Sequence, residues 1–275
     1  MPTELTVFAP AKINLTLHVT GRQDDGYHLL DSLVVFAGVG DTITVAPAPD
    51  LSLQIDGPEA SGLAAGEDNL VLRAARFLAP DRGAAIRLTK RLPVASGIGG
   101  GSADAAAALR ALSALWDLPL PTPGSTAALG ADVPVCLTGQ TCRMQGIGDT
   151  LLPAQIPAYD ILLVNPRVAV PTSAVFKGLA NRANAAMAAP PPGDPATFPA
   201  WLAAQRNDLA PPAIACAPAI ADILDTLNPL GPVHAAMSGS GATCYALFPT
   251  GQGAAALDHV RSTHPHWWSA QAAIL

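Results

Sequence analysis

The sequence predicts an α+β fold. Short runs with the two-residue period of strands occur near both ends, and a long alanine-rich run with helical spacing lies in the middle. Strands and helices follow one another without a strict βαβ repeat, which argues against a doubly wound parallel sheet.

Residues 3–8 read as a short strand. After Pro10, Ile13, Leu15, Leu17 and Val19 alternate with Asn14, Thr16 and His18, the pattern of a half-buried strand. Lys12 falls on the polar parity, so Lys12 and Asn14 are expected to point the same way. Residues 27–37, 42–46, 51–55 and 85–89 read as further strands, and the last two alternate cleanly. Residues 69–78 read as a helix. The strongest helix is 102–116, with Ala105, Ala108, Leu109, Leu112 and Leu115 on one stripe. A short helix over 125–129 has Ser125 as N-cap and Gly130 as stop. The texture changes around residues 153–157. Residues 160–165 then read as a buried strand and 172–179 as a helix opened by Thr172. Residues 185–199 are too rich in alanine and proline for regular structure. Segments 217–227, 233–237, 243–248, 251–263 and 267–275 alternate helix and strand. A boundary near 157 divides the chain into 1–157 and 158–275.

A chain of 275 residues fits two domains or one large one. Charged residues make up 13%, against about 25% in an average soluble domain. The net charge of −6, with 15 scattered basic residues, argues against a nucleic-acid partner. The most apolar stretch, 209–221, is broken by Pro211, Pro212 and Pro218, so no membrane span is expected. The first residues lack the basic and apolar regions of a signal peptide, and a cytoplasmic monomer or weak homodimer is the expectation. Cys136, Cys142, Cys216 and Cys244 form no C-x-x-C pair and read as reduced, mostly buried small hydrophobes. His264 and His266 read as part of a solvated loop, and no metal site is expected from protein ligands alone.

Four glycines, Gly97, Gly99, Gly100 and Gly101, fall within five residues just before the long helix. Helix-start N–H groups lack intrahelical partners, the helix dipole favours anions there, and glycine removes the Cβ atoms that keep a phosphate away. A phosphate chain is the ligand this predicts. The segment is not a Walker loop, because Ser102 and Ala103 follow Gly101. Nor is it a dinucleotide fingerprint, whose third glycine would be Ser102 or Asp104. The plain alternative is a flexible loop before a surface helix. Three further points carry polar chemistry: Lys12 after Pro10, Asp132 within Gly130-Ala131-Asp132-Val133-Pro134, and Ser238-Gly239-Ser240-Gly241 between two apolar strands. Taken singly, they also read as a solvated edge lysine, a turn aspartate and a hairpin turn.

Together these residues resemble the GHMP kinases, a family of small-molecule kinases. Residues 10–15 resemble the first family motif, 92–107 the glycine-rich second and 236–243 the third. Ala95 and Ser96 depart slightly from it, standing where relatives carry more glycine. The stretch 20–28, ending in Gly26-Tyr27-His28, resembles the members that phosphorylate a cytidine diphosphate ester of methylerythritol, rather than those acting on mevalonate or homoserine. Segments 67–70, 130–134, 146–149, 170–172 with Phe176, and 207–208 are similar to the same members.

The resemblance implies two lobes, an N-terminal one like ribosomal protein S5 domain 2 and a ferredoxin-like C-terminal one, with ligands meeting between them. It implies ATP, with Mg²⁺ expected alongside it, and phosphorylation of the 2-hydroxyl of the ester in non-mevalonate isoprenoid precursor synthesis. Lys12 and Asp132 are the implied catalytic pair. Val94, Ala95, Ser96, Gly97, Ile98, Gly99, Gly100, Gly101, Ser102, Ala103 and Asp104 are implied to hold the ATP phosphates, with Asn69 near the adenosine. The Ser102 hydroxyl reads either as a metal ligand or as the cap of its own helix. Tyr27 and Phe176 resemble an aromatic pair that sandwiches the cytosine, His28 would read its edge, and Asn14 and Thr172 would bind the rest of the small-molecule substrate. Another GHMP-type kinase, or a non-catalytic nucleotide-binding module on the same fold, is the alternative.

Overall fold

The computed structural model describes residues 4–24, 26–191 and 193–275. Thr3 of the first expected strand, Asp25 of the 20–28 stretch and Pro192 of the proline-rich segment lie outside the described residues. The chain forms two compact units that do not follow chain order. The first takes the chain up to Ala11, then Gly40–Val94 and Gly99–Gly139; the second takes Lys12–Val39, Ala95–Ile98 and Gln140–Leu275.

The chain opens with β1 (Leu5–Asn14), β2 (His18–Arg22) and the long β3 (His28–Pro47). β4 (Leu51–Asp56), α1 (Leu70–Leu78), β5 (Ala84–Thr89), α2 (Gly100–Trp116) and α3 (Val133–Thr138) follow. In the first unit the end of β3 pairs antiparallel with β5, which pairs parallel with β4. Ala84, Ile86 and Leu88 of β5 are buried while Ala85 and Arg87 are exposed, as the period of two requires. α1 lies against α2. Asn69 caps α1 by accepting the Val71 N–H at 3.0 Å.

In the second unit β2 and β6 (Cys142–Gly146) pair antiparallel with the first part of β3, and β7 (Thr150–Pro153) pairs with β6. There follow β8 (Tyr159–Asn165), α4 (Thr172–Lys177), α5 (Phe198–Ala203), α6 (Ala210–Cys216) and α7 (Ala219–Leu227). The chain closes with β9 (His234–Met237), β10 (Cys244–Pro249), α8 (Ala254–Thr263) and β11 (Trp268–Ala273). The order β11-β8-β10-β9, antiparallel throughout, is that of a ferredoxin-like split βαβ sheet. Leu162, Val164, Ala246 and Phe248 of this sheet share a core with Val175, Ile220, Ile223, Leu227 and Val260 from helices.

Several elements differ from the expectation. The runs on either side of Pro10 form one strand, because proline is tolerated where the ladder does not need its donor. The alternating run breaks after Asn14, and residues 11–19 are buried throughout, so period two there marks parity rather than a wet face. Residues 27–37 and 42–46 merge into β3. α2 starts at Gly100 with Gly99 in the left-handed region at its cap, so Ser102 is inside the helix and does not cap it. α2 is also buried on most sides, its small alanines admitting neighbours all round, rather than along one stripe. The helix expected over 125–129 is a 3₁₀ turn, Pro123–Ala128, closed by Leu129 before Gly130. α3, α5, α6, β6 and β7 were not anticipated. Pro211 and Pro212 conceal α6, yet they sit in its first turn, where the missing N–H groups are not needed. Among the described residues no single helix is long and apolar enough to cross a membrane.

The described residues of the proline-rich segment are irregular up to residue 197, but the segment is anchored. Met187 is buried, its N–H donates to Asp31 Oδ2 at 2.9 Å, and its carbonyl accepts from Arg143 Nη2 at 2.6 Å. Arg143 also forks onto Asp31, Nε to Oδ1 at 2.8 Å and Nη2 to Oδ2 at 2.7 Å. Burial pushes the Asp31 carboxyl up, but the Arg143 fork and the Met187 amide outweigh it and hold it below the usual range. A carboxylate depressed in this way stabilises the fold above its unfolded pKa, and that stability is lost as pH falls through the folded value. Urea denaturation of Arg143→Met at pH 7 should show a loss of about 3–5 kcal/mol, the cost of stranding a buried charge. A loss below about 1 kcal/mol, the worth of a surface pair, would contradict this account.

Candidate functional site

Lys12 lies near the end of β1 and is 3% exposed. Its Nζ donates to Asn14 Oδ1 at 2.9 Å, so the two side chains share a face as their parity requires. Asn14 Nδ2 donates to Ser32 Oγ at 2.7 Å, and Ser32 Oγ donates to the Thr16 carbonyl. This fixes the amide with its oxygen toward the ammonium. Burial pushes the neighbouring Cys142 thiol up to about 11, against the pull of the Lys12 charge.

Three sequence motifs converge here. The Lys12 N–H donates to the Ile98 carbonyl of the glycine segment at 3.0 Å. The Asn14 N–H donates to Ser238 Oγ at 3.0 Å, and Ser238 Oγ donates to the Gly97 carbonyl at 3.1 Å. The Thr243 N–H donates to the Ser96 carbonyl at 3.1 Å. Gly97 has φ +75°, and a Cβ there would lie 2.6 Å from the Gly241 carbonyl oxygen. The Ser238–Gly241 turn is thus both a hairpin loop between β9 and β10 and a wall for the glycine segment.

Left-handed residues alternate along that segment at Ala95, Gly97 and Gly99. Such alternation turns successive N–H groups toward one concavity, an anion-binding device. Val94, Ala95 and Gly101 are exposed, and Gly97, Gly99, Gly100 and Ser102 half-buried. Ser96, Ile98, Ala103 and Asp104 are buried, so their side chains serve the protein interior.

In the first unit, Asp132 is half-buried at the N-terminus of α3, and its carboxylate does not cap that helix. α3 is pinned by Arg110 of α2, whose Nη2 donates to the Cys136 and Leu137 carbonyls at 3.0 and 2.6 Å. The chain leaves α3 through Gly139 at φ +65°. The Asn69 side chain is engaged locally, its Nδ2 donating to the Ala64 carbonyl at 2.9 Å while its oxygen caps α1. Among the described residues no three His, Cys, Asp or Glu side chains gather to hold a metal ion.

Back in the second unit, the ring stacked on Phe176 is His28, with centroids 4.7 Å apart and planes at 27°. Tyr27, expected to flank the cytosine opposite Phe176, is 59% exposed. His28 Nε2 is buried without a hydrogen-bond partner among the described residues. Burial, then the charges of Arg22 and Arg182, lower the His28 pKa, so the ring is neutral at pH 7. Thr172 Oγ1 lies 2.9 Å from Ser240 Oγ, joining α4 to the Ser238–Gly241 turn.

Sequence reasoning missed Ser32, which orients Asn14, and it missed Asp41 and Lys90, which form a buried trio with Asp104, a residue expected at the phosphates. Lys90 Nζ donates to Asp41 and, at 2.9 Å, to Asp104 Oδ2. A lysine closing an alternating strand on its buried parity was the signal available for Lys90.

The GHMP kinases N-terminal domain matches residues 69–151 and the GHMP kinases C-terminal domain residues 183–266. A 4-diphosphocytidyl-2-C-methyl-D-erythritol kinase of Ruegeria pomeroyi is 62% identical over 98% of this chain and 99% of its own. Its namesake from Cereibacter sphaeroides is 57% identical over 96% and 97%. A crystal structure of a 4-(cytidine 5'-diphospho)-2C-methyl-D-erythritol kinase superposes with a TM-score of 0.79 at 30% identity, covering 98% of this chain and 99% of that one. With both family domains matched and relatives more than half identical along nearly their whole length, the chain belongs to the GHMP kinases, enzymes that phosphorylate small molecules.

Proposed function

We propose that this kinase transfers the γ-phosphoryl group of ATP to the 2-hydroxyl of 4-diphosphocytidyl-2-C-methyl-D-erythritol, giving the 2-phosphate and ADP, as a step of non-mevalonate isoprenoid precursor synthesis. The observation that carries it is the convergence of the Lys12–Asn14, Gly97–Ile98 and Ser238 segments through direct hydrogen bonds. The names borne by its relatives supply the substrate. A division of the chain near residue 157 is supported by its position between the two matched stretches, 69–151 and 183–266.

In the reaction the acceptor oxygen bonds to γ-phosphorus as the bond to the β-phosphate oxygen breaks, and the hydroxyl proton leaves. Asp132 accepts that proton and orients the hydroxyl. Lys12, held by Asn14, supplies a fixed positive charge to the transferring phosphoryl group. The amides of Gly97 and Gly99–Ser102 bind the phosphates, while Val94 and Ala95 bound the nucleotide and Asn69 lies near the adenosine. Bound together with ATP, Mg²⁺ would neutralise charge on the phosphates. The Ser102 hydroxyl would be one ligand for such an ion. Phe176 and Tyr27 take the cytosine faces, His28 yielding its place against Phe176 and turning its neutral ring to the base edge. Asn14 and Thr172 bind the diphosphate and polyol.

Asp132→Asn should lower kcat by about 10²–10⁴-fold in a coupled ADP-release assay, with the acceptor KM little changed. A wild-type rate in this variant would overturn the assignment of Asp132 as proton acceptor. Because the His28 pKa lies below its ordinary value, the acceptor KM should stay flat as pH falls from 8 to about 6.5. It should rise below that range as the ring gains its second proton. A KM rising already above about pH 7 would contradict the neutral-ring reading.

A further inference from the structure

We infer that the buried cluster of Lys90, Asp41 and Asp104 is a positioning device for the phosphate-binding segment, fixing its approach and its exit to one point and thereby setting the affinity for ATP. The inference rests on the proposed reading of the glycine segment as the ATP phosphate site.

The cluster belongs wholly to the first unit. The Lys90 N–H donates to the Asp56 carbonyl at 2.7 Å, fixing the residue just past β5. Its ammonium is gripped by Asp41 and by Asp104, with side chains only 4%, 0% and 4% exposed for Lys90, Asp41 and Asp104. Asp41 Oδ1 accepts the main-chain N–H groups of Arg91 and Leu92, at 2.5 and 2.9 Å. Those two residues lead directly into the glycine segment. Asp104 is in the first turns of α2, where the segment ends. One ammonium therefore ties the chain before the glycines to the helix after them.

The ammonium also lies against the helix start itself. A Cβ on Gly100 would stand 3.1 Å from Lys90 Nζ and 3.8 Å from Asp41 Oδ2. The first residue of α2 rests on the charge, and its bare backbone is what allows the approach. Stability alone does not account for the arrangement, since well-packed apolar residues commonly serve a fold as well as buried ions do. Asp104 Oδ1 is buried without a hydrogen-bond partner among the described residues. Burial pushes the Asp104 carboxyl up to about 7, Lys90 opposing and Asp41 adding to the rise. Buried and bonded to Lys90, Asp104 acts through that ammonium, which changes its implied role from phosphate contact to positioning residue.

The test is steady-state kinetics with ATP and the cytidine-bearing acceptor varied separately, on Asp104→Leu, Asp104→Asn, Lys90→Met and Gly101→Leu, each with a thermal melt. Asp104→Leu and Lys90→Met should raise the ATP KM by about tenfold or more while the acceptor KM moves less than about twofold. Asp104→Asn keeps an oxygen for Lys90 Nζ and should restore most of the ATP affinity lost in Asp104→Leu. An unchanged ATP KM in folded Asp104→Leu, an equal rise in both KM values, or failure of Asp104→Asn to rescue would overturn the inference. If Lys90→Met does not fold, the two Asp104 variants decide. Gly101→Leu separates this from the reading beneath it. A Cβ on Gly101 meets nothing within 4 Å, and helical side chains lean toward the N-terminus, so leucine would cover the first-turn amides. If Gly101→Leu leaves the ATP KM unchanged, the phosphate site itself is wrong. If it alone raises that KM, only the positioning role fails.

Discussion

The site depends on a short chain of hydrogen bonds that closes over the glycine segment: Lys12 N–H to Ile98, Asn14 N–H to Ser238 Oγ, and Ser238 Oγ to Gly97. These contacts join residues that are remote in sequence. They also fix backbone rather than side chains, so the segment's amide directions are set before any ligand arrives. Prepaid order of this kind is what a phosphate site needs, because binding then costs little loop entropy. The tight contact at Gly97 shows how little slack the closure has.

Charge is scarce in this chain, and much of it is placed where burial makes it consequential. Lys12, Asp31, Asp41, Lys90 and Asp104 are all at most 3% exposed. Each has an opposite charge or a polar amide in reach, as buried ions require. Two of these clusters serve geometry. Asp31 with Arg143 clamps the proline-rich segment through Met187, and Lys90 with its carboxylates grips the flanks of the glycine segment.

Local chemistry was legible in the sequence wherever one residue type has one physical use. The bare amides before α2, the shared parity of Lys12 and Asn14, and the alternation in β4 and β5 all follow from letters alone. Partners remote in the chain were not legible. Nothing in Ser32 announces that it orients Asn14. Asp41 looks like any residue of a turn between strands, because β3 runs straight through it. The stack of His28 on Phe176 was not legible either, because it joins the start of β3 to α4, far along the chain. Proline misled twice, hiding α6 and dividing β1, since its cost depends on whether its missing donor is needed.

ATP titration by calorimetry on Gly97→Ala tests the central claim most directly. The added methyl must displace the Ser238–Gly241 turn while leaving Lys12 and Asp132 chemically intact. The account predicts affinity weakened by about tenfold or more in a cooperatively folded protein. ATP binding as tight as wild type would show that closure of the three segments does not build the phosphate site.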